Sequence, residues 1–176
     1  MSLSLYDVSV GRYLQVLGAL AGCLEKGHAH FTASGTDPNQ VLAERIHPDM
    51  FPFSYQVQFT AHHSLGTIEG IKKGLFAPPT NLGELDYRGL QKLIAETRES
   101  LQKMQPAEIN ALEGRDVLFQ IRDLKLPFTA EGFVLSFSLP NFYFHATTAY
   151  DILRMKGVPV GKRDFLGQMA LKSAMA

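Results

Sequence analysis

Apolar residues recur at helical spacing in three long stretches of the chain. Val10, Leu14, Leu17, Ala21 and Leu24 fall at i, i+4, i+7, i+11 and i+14, one stripe on a helix running from about Leu5 to Lys26. Gly27 is placed to terminate it. A polar stretch follows, in which Asp37 can cap a short helix with Pro38 at its first position, ending before Pro48. After Pro52 the spacing returns with Val57, Ala61, Ser64, Ile68 and Ile71, and Gly74 with Pro78-Pro79 closes that helix. Asp86 is a candidate cap for a third, whose stripe is Leu90, Leu93, Ile94, Thr97, Leu101 and Met104, with Pro106 as its stop.

The period then drops to two. Val117, Phe119 and Ile121 alternate with Leu118, Gln120 and Arg122, and Leu124, Leu126 and Phe128 alternate on a second strand. This predicts a hairpin within residues 116–129, turning near Arg122-Asp123, which must pack on the helices because a lone hairpin is not stable. Phe133, Leu135 and Phe137 fit either a third strand or the first turns of a helix capped by Thr129. Pro140 suits the first turn of a helix starting at Ser138 or a kink in a longer one. From Asn141 to Lys156 the pattern is helical, ending at Gly157, and residues 158–176 read as an irregular tail with a final short helix. The expected fold is mainly α: a four-helix bundle forming one domain over residues 1–176, with a short β-hairpin between helices 3 and 4.

Composition narrows the function classes. Lys plus Arg equal Asp plus Glu at 17 each, and no basic run supplies the surface that nucleic-acid binding needs, so no nucleic-acid partner is expected. No apolar run reaches the roughly 18 residues of a membrane span, so no membrane partner is expected. Leu20-Ala21-Gly22-Cys23 has the form of a lipoprotein cleavage box, but Asp7 offsets Arg12, Gln15 interrupts the apolar run, and cleavage would delete most of the first helix. A cytoplasmic location is therefore expected. The single cysteine, Cys23, excludes an internal disulfide and a cysteine-rich zinc site, and its apolar helix predicts a buried, unreactive thiol.

Several segments carry a resemblance: Ser4-Leu5-Tyr6-Asp7-Val8-Ser9-Val10, Pro48-Asp49-Met50-Phe51-Pro52, Gln56-Val57-Gln58, Leu139-Pro140-Asn141-Phe142-Tyr143-Phe144-His145, and Gly161-Lys162-Arg163-Asp164-Phe165-Leu166-Gly167. Together, over nearly the whole chain, they resemble a bacterial family of unknown function within the DinB/YfiT-like helical-bundle superfamily. The resemblance implies the same bundle with a hairpin before the last helix. In the wider superfamily many members hold a divalent metal with three histidines, one from the second helix and a His-x-x-x-His pair from the last. Some use it to activate a thiol for transfer, and others are hydrolases. The logic is physical, since residues four apart share a helix face and a histidine across the bundle can complete an open site.

This chain departs from that pattern. Registered on Leu153-Arg154, the second histidine of the pair is His145 and the first is Asn141, whose amide oxygen is a weak neutral ligand. Asn141, His145, Thr148 and Ile152 form a stripe that is either a site or a hydrogen-bonded network around one buried histidine. On helix 2, His62 and His63 point about 100° apart, so only one can face a given site. His62 lies nearer a second stripe with Tyr55 and Phe59, aromatics that line a pocket, a subunit contact or simply core. The candidate metal ligands are thus His62, His145 and Asn141, with Tyr55, Phe59 and Thr148 around a pocket. If His145 is buried, its N–H needs a partner, for which His62 or Tyr55 stands nearest in this reading.

Three readings stay open. One is a divalent-metal enzyme of thiol-transferase or hydrolase type, its zinc or nickel held weakly enough for purified protein to emerge empty. Another is a metal-free protein holding an apolar small-molecule ligand between helices, with Phe142, Tyr143 and Phe144 adding aromatic surface. The third is a structural homodimer.

Overall fold

The computed structural model describes residues 3–79 and 82–172. Helix α1 (Leu5–Val8) opens on a capping box in which Ser4 Oγ accepts the Asp7 N–H and the Asp7 carboxylate accepts the Ser4 N–H. Helix α2 (Val10–Ala33) follows and does not stop at Gly27. A side chain at Gly27 would collide with the Tyr87 hydroxyl, which donates to the Leu24 carbonyl at 2.9 Å. The glycine there admits a neighbouring helix instead of ending its own. Gly35, at φ +70°, turns the chain after α2. The 3₁₀ segment Pro38–Ala43 is capped by Asp37, which accepts the Asn39 N–H at 2.9 Å.

The second long helical run is α3 (Phe53–Ala61), a π-helical turn (His62–Gly66) and α4 (Thr67–Lys73), closed by Gly74 at φ +74°. Strand β1 (Leu75–Phe76) comes directly after it. Helix α5 (Tyr87–Gln102) starts on Asp86, which accepts the Gly89 N–H at 2.6 Å. Pro106 begins the short α6 (Pro106–Asn110) rather than stopping α5, because a residue without an N–H suits a first helical position.

Strands β2 (Asp116–Ile121) and β3 (Leu124–Thr129) pair antiparallel, and β1 lies parallel to β2 with Leu75 opposite Leu118 and Phe76 opposite Phe119. The result is a small three-stranded sheet in the order β1-β2-β3. Val117 and Phe119 point into the core, whereas Leu124 and Leu126 stay exposed.

Thr129 then decides between the two readings of Phe133–Phe137. Its hydroxyl accepts the Gly132 N–H at 3.2 Å and caps α7 (Ala130–Phe133), which passes through a second π-helical turn (Val134–Ser138) into α8 (Leu139–Met155). The wider turn lies where Pro140, lacking an N–H, would otherwise press on the preceding helical turn. The tail carries α9 (Lys162–Leu166), and its last residues, 173–176, lie outside the described ones.

Helix α2 packs on α5 and α8, and α3 packs on the same two helices from its own side. Tyr13, Leu17, Leu20, Phe53, Val57, Leu90, Ile94, Phe142 and Ile152 meet in the core, and Cys23 is fully buried among them. The fold is mainly helical with a small sheet at one side. Among the described residues no helix is long and apolar enough to cross a membrane.

Candidate functional site

Two buried polar stripes face each other between the second and last helical runs. On the first, Gln56, Thr60, His63 and Thr67 fall at i, i+4, i+7 and i+11 and are all buried. On α8, His145 and Thr148 are buried and Asn141 is half-buried. Most of these groups are satisfied by their own helix. Thr60 donates to the Gln56 carbonyl (2.8 Å), Thr148 to the Phe144 carbonyl (2.7 Å) and the Asn141 amide to the Phe137 carbonyl (2.8 Å).

The Gln56 side chain is the exception, since it spans the gap. Its Nε2 donates to the Phe51 carbonyl at 2.8 Å, which fixes which way the amide points, and its Oε1 lies 2.8 Å from His145 Nδ1. An amide oxygen only accepts, so Nδ1 carries the proton of a neutral His145 ring and Nε2 is left with the lone pair.

His145 borders a cavity of about 420 Å³. Phe59, Phe76, Phe119 and Phe137 wall it, His62 and His63 join the wall, and the exposed rings of Phe51 and Phe144 stand at its rim. His145 lies nearly parallel to Phe59 (centroids 5.0 Å apart) on α3 and to His63 (5.6 Å) in the π turn. Burial pushes the His145 imidazole down to about 4 and the His63 imidazole to about 3, with neighbouring histidines adding to both shifts. Burial lowers His62 too, partly offset by a contact with the Ala77 main chain. The His145 and His63 rings are neutral at physiological pH. Two buried nitrogens, His62 Nε2 and His63 Nδ1, have no partner among the described residues.

The π turns hold this wall in place. The His63 carbonyl accepts from Ser138 Oγ at 2.8 Å and from Thr67 Oγ1 at 3.1 Å, and Tyr13 bonds Ser138 Oγ at 2.7 Å. Ser138 ends the second π turn and His63 sits in the first, so the two irregular turns are stitched directly to each other.

Of the residues singled out from sequence, His145, Asn141, His62 and Phe59 line the cavity, and Tyr55 and Thr148 do not. Tyr55 stacks on Phe51 (5.5 Å) outside it. The partner of His145 is Gln56 rather than His62 or Tyr55, and the histidine beside it is His63. His28 and His30 are half-buried, His28 against Tyr87 at 5.8 Å. Among the described residues no group of three or more His, Cys, Asp or Glu side chains is placed to hold a metal ion. The position that would complete a His-x-x-x-His pair with His145 is Asn141, a weak neutral oxygen ligand, so the residues fit a three-ligand metal centre poorly.

Gln56 and His63, absent from the expected ligand set, complete the surroundings of His145. Their signal was the polar stripe Gln56-Thr60-His63-Thr67, which runs beside the aliphatic stripe at the same helical period.

The sequence profile of a family described as Domain of unknown function (DUF1993) matches residues 5–166. Among curated proteins none matches. Among solved structures, the crystal structure of a DinB family member protein from Shewanella denitrificans superposes with a TM-score of 0.80 at 28% identity, covering 96% of this chain and 95% of that one.

Proposed function

The chain belongs to the DUF1993 family, and on that footing we propose that it is a DinB-like small-molecule-binding protein whose site is the aromatic cavity around His145. One observation carries this reading: the Phe51–Gln56–His145 chain of hydrogen bonds leaves His145 Nε2 as a fixed, neutral acceptor in a largely apolar cavity. Ligand pockets of roughly 300–1,000 Å³ combine apolar walls with a few placed polar groups in this way. The matching ligand is an uncharged aromatic or aliphatic molecule with one hydroxyl, amine or thiol donor. A charged ligand would be stripped of water with no countercharge in the wall.

A zinc or nickel centre serving thiol transfer or hydrolysis is the second reading. It is supported by the same bond, because metal-bound imidazoles are commonly held through the nitrogen that does not face the ion. It ranks second because, among the described residues, no three His, Cys, Asp or Glu side chains are placed to hold an ion, and the remaining donor is the weak neutral amide oxygen of Asn141.

Fluorescence titration with N-phenyl-1-naphthylamine, a neutral aromatic amine, tests the first reading on protein purified without chelator or His-tag. Saturable one-to-one binding is expected, weakened about tenfold in His145→Leu by the loss of one hydrogen bond. Absence of saturation, or equal affinity in His145→Leu, would refute it. Binding that requires added zinc or nickel would put the metal reading in its place.

The four long helical runs form a DinB/YfiT-like four-helix bundle, with the hairpin between the third and fourth. A homodimer is supported by the exposed rings of Phe51 and Phe144, and light scattering on the eluting protein would measure it.

A further inference from the structure

A second pocket, of about 530 Å³, shares no residue with the aromatic cavity. It lies between α2, the C-terminal part of α5 and the segment following α9, and its polar lining includes Arg12, Gln15, Arg98 and Gln102. Two arginines line this space and, among the described residues, no Asp or Glu does, in a chain whose acidic and basic residues balance at 17 each.

Among the described residues the ion pairs involve lysines and one histidine, never Arg12 or Arg98. Asp7, the carboxylate whose charge reaches Arg12, is bonded through Oδ2 to the Ser4 N–H and hydroxyl. Glu99, next to Arg98 in sequence, pairs with Lys103. Arg12 donates to Gln15 Oε1 at 3.2 Å, and Gln15 Nε2 donates to the Leu166 carbonyl at 3.0 Å, so that amide is oriented by both contacts. The Arg98 Nε–H is buried with no partner among the described residues.

Local sequence makes room for this. The Arg98 guanidinium lies against Gly18, where a Cβ would stand 3.5 Å from its nearest nitrogen. A bare helix wall lets the planar group lie flat, and such a fork binds carboxylate or phosphate oxygens in pairs. The buried Arg98 Nε–H has lost its water without gaining a partner among the described residues, a cost that an incoming oxyanion would offset.

We propose that this pocket binds a small oxyanion, the phosphate or carboxylate group of a metabolite-sized ligand, with Arg98 and Arg12 as its charge partners. The site is independent of the aromatic cavity, and its ligand carries the charge that the cavity disfavours.

Amide NMR titrations at constant ionic strength, set with chloride, provide the test, one with inorganic phosphate and one with succinate. Saturable shifts are expected at the amides of Gly11, Gly18 and Gly167 with at least one anion, without movement at His145. The anion that saturates identifies the source of the oxyanion. Arg98→Gln should weaken binding by at least about tenfold, ~1.4 kcal/mol. Arg12→Gln, at an exposed position, gives the same reading should Arg98→Gln fail to fold. Shifts that never saturate with either anion, or unchanged affinity in a folded variant, would overturn the proposal.

Discussion

Lowering the pH from 7 to about 5 puts protons on unfolded imidazoles that the native protein refuses. Burial holds His145 at about 4 and His63 at about 3, against about 6.5 for a free imidazole. With folded values depressed below unfolded ones, the native state binds fewer protons across this window. Stability from each group is therefore fully present above about pH 6.5 and drains away as the pH falls toward the folded value. Between pH 7 and about pH 5 each ring costs roughly 2 kcal/mol, from ~1.36 kcal/mol per pH unit. The rings are neighbours and titrate together, so the combined loss is roughly 3–4 kcal/mol, a large part of a typical net stability of ~5–15 kcal/mol. Asp7, Glu99, Glu108 and Asp164, held below the usual carboxylate range by hydrogen bonds, give up their contributions only at lower pH. Urea unfolding followed by far-UV circular dichroism across this window measures the slope. His145→Phe and His63→Phe place a ring of fixed charge in the same aromatic wall, and each should flatten the curve. A wild-type curve already flat over this range, or a double variant that keeps the full slope, would refute buried neutral imidazoles as the cause.

Three further outcomes are expected. Gly27→Ala should destabilise the fold by about 1–3 kcal/mol, because its methyl enters the space of the Tyr87 hydroxyl, and thermal unfolding of this variant beside Tyr87→Phe/Gly27→Ala should show partial rescue. Burial pushes the Cys23 thiol up to about 11, so a thiol reagent should label it only on unfolding, and rapid labelling of native protein would contradict the packing. Asn141→His would rebuild a His-x-x-x-His pair one turn before His145 and should raise zinc or nickel affinity roughly tenfold by calorimetry; negligible binding by both proteins would remove the metal reading.

The aliphatic stripes made the long helices legible. Val57, Ala61, Ser64, Ile68 and Ile71 are all buried, because a period of 3.6 is set by the helix itself and needs no knowledge of its neighbours. What stayed hidden depends on partners distant in sequence. Gly27 looks like a stop signal until Tyr87, from another helix, is seen filling the space it leaves. Leu124 and Leu126 alternate as core residues do, yet no helix covers them. His62 and His63 flank the aliphatic stripe at similar angles, and only the position of α8 selects His63 as the neighbour of His145. Gln56 is hard to recognise in the sequence because an amide carries no charge or metal preference to mark it, although it bridges the two helices at His145.

The π turns at His62–Gly66 and Val134–Ser138 make the number of residues in each helix part of the design. Deleting one residue from the first would close the wide turn to an ordinary helical one and carry the His63 carbonyl away from the Ser138 hydroxyl that now holds it. A deletion in the second would withdraw the same hydroxyl, together with the Tyr13 bond that steadies it. Single insertions and deletions in these two helices are therefore coupled across the molecule. A relative that straightens one of them must find another donor for that carbonyl or straighten both, so gap positions, more than the identity of any one side chain, mark which homologues keep this cavity wall.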